Sequence, residues 1–232
     1  LVVVAELLED YGRRSARTFE AALRSADGGA TWSDPAVIAE ARGFDVVDPA
    51  SRRPIRSGWA LPDIAVDRST GRLYATWTDG RFAGDRAGIA LSSSDDGGAT
   101  WSMPRAVDAV EPGRASFTPA IEVGPDGTVV ATYYRATIDE AARDDFATSV
   151  VIARSSDSGA TWQRQDLSPA PFDLHGAPDA GGLFLGDYTG LAIASSATGG
   201  TTDWRAIAAG SIVNAGDVAN RTDVAVTVAG PQ

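Results

Sequence analysis

The sequence contains no cysteine. Disulfides, thiolate metal sites and cysteine nucleophiles are therefore excluded. Secretion is not, because the redox argument runs from paired cysteines to a compartment and not the other way. Basic residues are in deficit, with 20 Lys and Arg against 31 Asp and Glu and a formal net charge of -11. That balance argues against a general nucleic-acid surface, which needs clustered Lys and Arg to displace counterions from phosphates. There is a single histidine, His175, in the Gly- and Pro-rich stretch 169–182. One imidazole falls short of a zinc-type ligand set, so His175 reads as a loop residue and no metal or cofactor is expected. No apolar run approaches the about 18 residues of a membrane helix, and no membrane partner is expected. The opening run Leu1–Ala5 is too short for the core of a signal peptide. As the chain also does not start with Met, it is expected to be a mature or truncated piece of a longer protein.

What is present in quantity is a repeat. SADGGATW occupies Ser25–Trp32, SDDGGATW occupies Ser94–Trp101 and SSDSGATW occupies Ser155–Trp162. The shared pattern is Ser-x-Asp-x-Gly-x-Thr-Trp, recurring at roughly 60–70 residues, and such a period marks a repeat architecture. A second repeat lies between the copies. Ile64–Trp77 and Ile121–Tyr133 are each an apolar segment, a turn with Gly71 or Gly127, and an alternating segment ending Ala-Thr-aromatic. That pattern predicts β-hairpins. A weaker third copy spans Leu191–Ile207, with Gly199 and Gly200 at the turn. Hairpin plus motif makes a unit of four short strands, the unit of a β-propeller blade. Across the chain the strands amount to about four such blades. No sustained helical period is seen, although Asp139–Phe146 could form a helical turn. The expected fold is all-β, with residues 1–232 as one propeller domain.

Within the motif each residue type suits a tight turn between the third and fourth strands. Asp27, Asp96 and Asp157 can accept backbone N–H bonds. Gly29, Gly98 and Gly159 permit positive φ. Trp32, Trp101 and Trp162 supply apolar surface to bury, and the Ser and Thr hydroxyls satisfy leftover groups. A catalytic or metal-binding role for these aspartates is the competing reading. Three copies favour a structural one, since a site used once needs one copy while a repeated fold element needs many.

At these residues the sequence resembles the sialidase superfamily, whose blades carry Asp boxes on the outer edge, away from substrate. Ser33-Asp34-Pro35 and Ser102-Met103-Pro104, directly after Trp, are similar to that family as well. The resemblance covers nearly the whole chain, but other propellers share the Asp box. It implies a six-bladed propeller of which this chain covers about four blades, incomplete toward the N-terminus. Further blades, or self-association, would cover the remaining edges. It also implies an arginine triad for a substrate carboxylate, a Tyr nucleophile assisted by a Glu, and an Asp acid/base.

Tyr188-Thr189-Gly190-Leu191 is similar to the family's Tyr-Ser-x-Leu, and Glu122, followed by Asp126-Gly127 and Arg135, is similar to its Glu and arginine stretch. The implied roles are Tyr188 as nucleophile, Glu122 as its base and Arg135 as a carboxylate clamp, with Arg143 as a second arginine. The pattern departs from the family in three respects. The Glu and Tyr units are adjacent here instead of separated by a blade. The RRPIR stretch Arg52–Arg56 is not the family's Arg-Ile-Pro segment. No aspartate matches the acid/base. Trp59 and Trp77 could stack on sugar rings, but packing within the fold is the favoured reading. The resemblance thus implies a secreted or cell-surface, exo-sialidase-type hydrolase with a glycan as its partner. The alternative is a non-catalytic propeller that binds a glycan or a protein.

Overall fold

The structure, a computed structural model, describes residues 1–10, 16–43, 46–56, 61–82, 84, 86–108, 111–139, 143–168, 170–198, 201–214 and 221–230. Trp59, the glycine pair 199–200 and part of the segment 139–146 lie outside the described residues. Four antiparallel sheets follow one another along the chain, each a meander of sequential strands. The first contains β1 (Val2–Asp10), β2 (Ala16–Arg24) and β3 (Ala36–Glu40). The second contains β4 (Asp63–Val66), β5 (Leu73–Asp79), β6 (Gly88–Ser94) and β7 (Arg105–Ala106). The third contains β8 (Arg114–Val123), β9 (Val129–Thr137), β10 (Ala147–Ser155) and β11 (Gln163–Asp166), and β12 (Phe172–Asp173) pairs with the start of β10. The fourth contains β13 (Gly190–Thr198), β14 (Thr201–Ile212) and β15 (Asp223–Ala229). Among the described residues there is no α-helix, only one 3-10 turn at Leu174–Gly176, and no helix long and apolar enough to cross a membrane.

Burial explains why these strands form where they do. β5 reads LYATWTD and is buried along its whole length, and β9, VVATYYRAT, is nearly so. β-Branched and aromatic residues suit a pleated surface covered on both faces. The covers are the neighbouring sheets. Ala22 and Ile38 of the first sheet pack with Trp77 and Ala90 of the second. Tyr74 and Leu91 of the second meet Tyr133 and Val151 of the third. Val130 and Ile152 of the third meet Trp204 and Ala206 of the fourth. The leading strands β4, β8 and β13 stand side by side along this stack. A further cluster around Phe117, Tyr134, Phe146 and Leu174 closes one end under the loops.

The outermost sheets each have one bare face, so the stack does not close into a ring. β15 alternates between half-buried and exposed, with Val224, Val226 and Val228 facing out, and Val3 and Leu8 of β1 are likewise exposed.

Four strands per unit is met without addition only in the second sheet. The first and last sheets have three, and β12 adds a fifth to the third. In the first sheet the Asp box joins the second and third strands, and in the next two it joins β6 to β7 and β10 to β11. The last sheet's leading strand begins at Gly190. Residues 183–189 instead cross the end of the stack, bridged by Arg56 to Phe184 and by Asp179 to Leu183.

Candidate functional site

The three Asp boxes are nearly identical in detail. In the first, Ser25 Oγ donates to Asp27 Oδ1 at 2.8 Å and accepts Gly29 N–H at 2.8 Å. Thr31 N–H donates to Asp27 Oδ1 at 2.9 Å and its hydroxyl to Oδ2 at 2.6 Å. The same four bonds recur around Asp96, from Ser94, Gly98 and Thr100, and around Asp157, from Ser155, Gly159 and Thr161. The Thr hydroxyl first, then the Thr N–H and the Ser hydroxyl, hold Asp27 and Asp157 down to about 2, and Asp96 is lowered in the same way. These carboxylates are ionised acceptors saturated by their own turns. They belong to three separate turns, and no cluster of metal-binding side chains exists among the described residues. The glycines sit at φ +97°, +87° and +84°. Burial of the tryptophans is uneven. Trp101 packs on the first sheet and Trp162 on the second, each half-buried, whereas Trp32 is 43% exposed. Each Asp-box Trp leans on the preceding sheet, and for Trp32 no sheet lies on that side among the described residues.

Antiparallel order puts the Asp boxes at one end of the sheets and the starts of β4 and β8, with the segment leading into β13, at the other. That second end holds a small cavity of about 150 Å³ lined by Asp63, Thr118, Pro119, Asp187, Tyr188 and Thr189, among others. Tyr188 is 78% exposed there. Asp63 opens β4 and accepts the N–H groups of Ile121 and Ile64, both at 2.9 Å. Burial outweighs these bonds and raises its carboxyl pKa. Thr118 lies in the bulge of β8 at φ +52°, an outlying conformation for a β-branched residue, and its N–H reaches the Thr78 hydroxyl at 3.1 Å. Such strain is characteristic of ligand-facing backbone. Arg56 supplies the positive charge at this end: it pairs with Asp187 at 3.5 Å and lies 4.4 Å from the centre of the Phe184 ring.

The other candidates lie elsewhere. Glu122 is at the far end of β8 and lines a different cavity, of about 390 Å³, with Asp67, Arg68 and Ser69. Its pKa is raised by burial and, less strongly, by the charge of Asp63. Arg135 turns outward across its sheet to Asp166 at 2.7 Å. Arg143 is exposed in the loop before β10. Trp77 is fully buried, with its indole N–H on Asp79 at 2.9 Å, and has no face open to a sugar. His175 is more than a bare loop residue: its ring nitrogens lie 3.0 Å from Asp48 and 2.9 Å from Asp173, tying two loops together. Burial pushes the Asp48 carboxyl up, but hydrogen bonds from Ser51, His175 and Ala50 prevail and hold it at about 2. Sequence reading passed over Asp63, Asp187 and Thr118. The available signals were that Asp63 opens an inner strand directly after a proline and that Asp187 adjoins Tyr188.

No protein-family model and no curated protein matches the chain. Among solved structures it is similar to the Hadza microbial sialidase Hz136, at 17% identity over 92% of this chain and 40% of that one, with a TM-score of 0.47. The leech intramolecular trans-sialidase complexed with 2,7-anhydro-Neu5Ac matches at 15% identity over 100% of this chain and 36% of that one, TM-score 0.45. The Penicillium chrysogenum α-L-arabinanase complexed with arabinobiose matches at 17% identity over 92% and 67%, TM-score 0.47. The chain thus spans well under half the length of the two sialidase structures.

Proposed function

We propose that this chain is part of an Asp-box β-propeller acting on glycans as a glycoside hydrolase of the exo-sialidase type, with Tyr188 as nucleophile. The observation that carries the reading is the cavity at the end of the sheets opposite the Asp boxes, which Tyr188 and Asp63 both line. A phenol with an ordinary pKa near 10 needs a base to attack at neutral pH. A carboxyl raised by burial is suited to take that proton. The phenolate oxygen then bonds to the anomeric carbon as the glycosidic C–O bond breaks, and the departing oxygen takes the proton that Asp63 received from Tyr188. Water reverses the step and frees Tyr188. Arg56, next to Asp187, is the cation within reach of a substrate carboxylate.

Hydrolysis of a fluorogenic sialoside tests this. Tyr188→Phe is expected to lower kcat at least about 10³-fold with an unchanged melting temperature, and Asp63→Asn to flatten the acidic limb of the pH–rate profile. Absence of turnover by the full chain on sialosides, arabinosides and xylosides alike refutes the hydrolase. The second reading, a glycan-binding propeller without chemistry, draws support from the exposed Tyr188 ring and from the commitment of Arg135 to Asp166. It expects glycan binding that survives Tyr188→Phe and is lost in Tyr188→Ala, because stacking needs the ring and not the hydroxyl.

A further inference from the structure

At the Asp-box end, far from the Tyr188 cavity, lies a cation that no carboxylate among the described residues compensates. Arg154 lies on β10, on the same face as Ile152, and points into the seam between the third and fourth sheets. It is only 7% exposed. Its Nε is fully enclosed and has no hydrogen-bond partner, and among the described residues no carboxylate pairs with its guanidinium. Burial lowers its pKa, with no neighbouring charge working in either direction. The Thr132 hydroxyl opposite Ile152 is likewise without a partner, whereas the Trp204 indole and Asp126 are satisfied. The Trp204 indole N–H donates to Asp126 Oδ2 at 2.9 Å, and the Thr128 N–H occupies Asp126 Oδ1 at 3.0 Å. Asp126 is therefore committed elsewhere and does not serve Arg154.

Arg154 is also a wall of a cavity of about 150 Å³ whose other walls include Asp126, Thr128, Thr161, Gln163 and Trp204. An enclosed guanidinium without a counter-ion costs several kcal/mol. An apolar residue at this position would simply have extended the Val130–Ile152–Trp204 cluster. The chemistry the site lacks is a planar pair of anionic oxygens, the group that a guanidinium fork matches with two parallel hydrogen bonds. The remaining walls offer hydroxyls and an amide, which suit a hydroxylated ligand. We infer that the seam between the third and fourth sheets is a binding site for the carboxylate of a hydroxylated ligand, with Arg154 as the anion-holding residue. The site is independent of the Tyr188 reading, since it lies at the other end of the sheets and uses none of the same residues.

The test uses the whole chain and sodium glucuronate as probe, with glucose as its neutral counterpart and equimolar sodium chloride to hold ionic strength. Glucuronate about a hundredfold above its Kd is expected to raise the melting temperature by about 5–10 °C relative to chloride, and glucose by nothing. Arg154→Met is expected to fold, since it removes a buried charge and keeps an apolar stem, and to lose the glucuronate shift entirely. Arg154→Lys is expected to retain a smaller shift, being a cation without the fork. Should Arg154→Met not fold, the indole N–H resonance of Trp204, assigned by its loss in Trp204→Phe, reads the site in the wild type. It is expected to move with glucuronate and stay still with glucose. A glucuronate shift no larger than that of chloride, one that survives Arg154→Met, or one matched by inorganic phosphate overturns the assignment.

Discussion

Replacing Glu20 by Gln isolates an electrostatic tension between the first and second sheets. Glu20 sits on β2 directly opposite Glu6 of β1, on the face that packs against the second sheet. It is fully buried, and neither carboxyl oxygen has a hydrogen-bond partner. Asp79 is close enough to add a like charge, and the cation nearby, Arg81, is spent on Asp79 at 2.8 Å. Burial first, then the charges of Glu6 and Asp79, push the Glu20 carboxyl up to about 9. The folded chain therefore holds a proton that the unfolded chain releases above about pH 4.5. Between those two values the native state binds more protons than the unfolded one, so stability falls as pH rises from about 4.5 to about 9. Titration across the whole window is worth at most about 6 kcal/mol, and water entry into the seam reduces it to several kcal/mol. Gln keeps the shape and cannot ionise. Urea unfolding of wild type and Glu20→Gln at pH 5, 6, 7, 8 and 9 gives two stability curves, whose difference removes the titrating groups that are not coupled to Glu20. That difference is expected to grow by about 2–4 kcal/mol in favour of Gln from pH 5 to pH 9. Parallel curves would refute the argument and show that Glu20 is hydrated or paired in solution.

Truncation of tryptophans should follow burial and not motif membership. Trp77→Ala is expected to cost about 3–5 kcal/mol and Trp32→Ala about 1 kcal/mol or less, with Trp101→Ala between them, by denaturant unfolding; equal costs would contradict the packing described. Gly159→Ala places a Cβ about 2.4 Å from Leu91 Cδ2 in a residue already at φ +84°, and is expected to destabilise by about 2–3 kcal/mol. In a Leu91→Ala background the clash is gone and only the φ penalty of about 1 kcal/mol should remain, so additive costs in that double-mutant cycle would rule out the contact.

The Asp boxes were legible because every bond in them is local. Ser25, Asp27, Gly29 and Thr31 satisfy one another within seven residues of chain, so residue types and spacing are sufficient. The hairpins around Gly71 and Gly127 were legible for the same reason. Strand boundaries were less so, since the beginning of β8 at Arg114 and of β13 at Gly190 depends on which partner strand is present to pair. The proposed catalytic group was only partly legible. Tyr188 and Glu122 were visible as motif fragments, but whether two residues on neighbouring inner strands share a cavity depends on which end of the strand each occupies. Asp63 was passed over because nothing within its own hairpin distinguishes it from a solvated strand residue. Its burial is imposed by β8, more than fifty residues further on.

Residue types alone determined an all-β chain of repeating hairpins, stapled by three turns whose aspartates are occupied by their own neighbours. Tertiary structure decided which surfaces of those hairpins are enclosed. It left Trp32 exposed while burying Trp77, set Glu20 against Asp79 without a cation to share, and closed the Val130–Trp204 seam over Arg154. A turn is specified by hydrogen bonds a few residues apart, whereas the cost of a buried charge depends on what the adjacent sheet, arriving from distant sequence, brings to meet it.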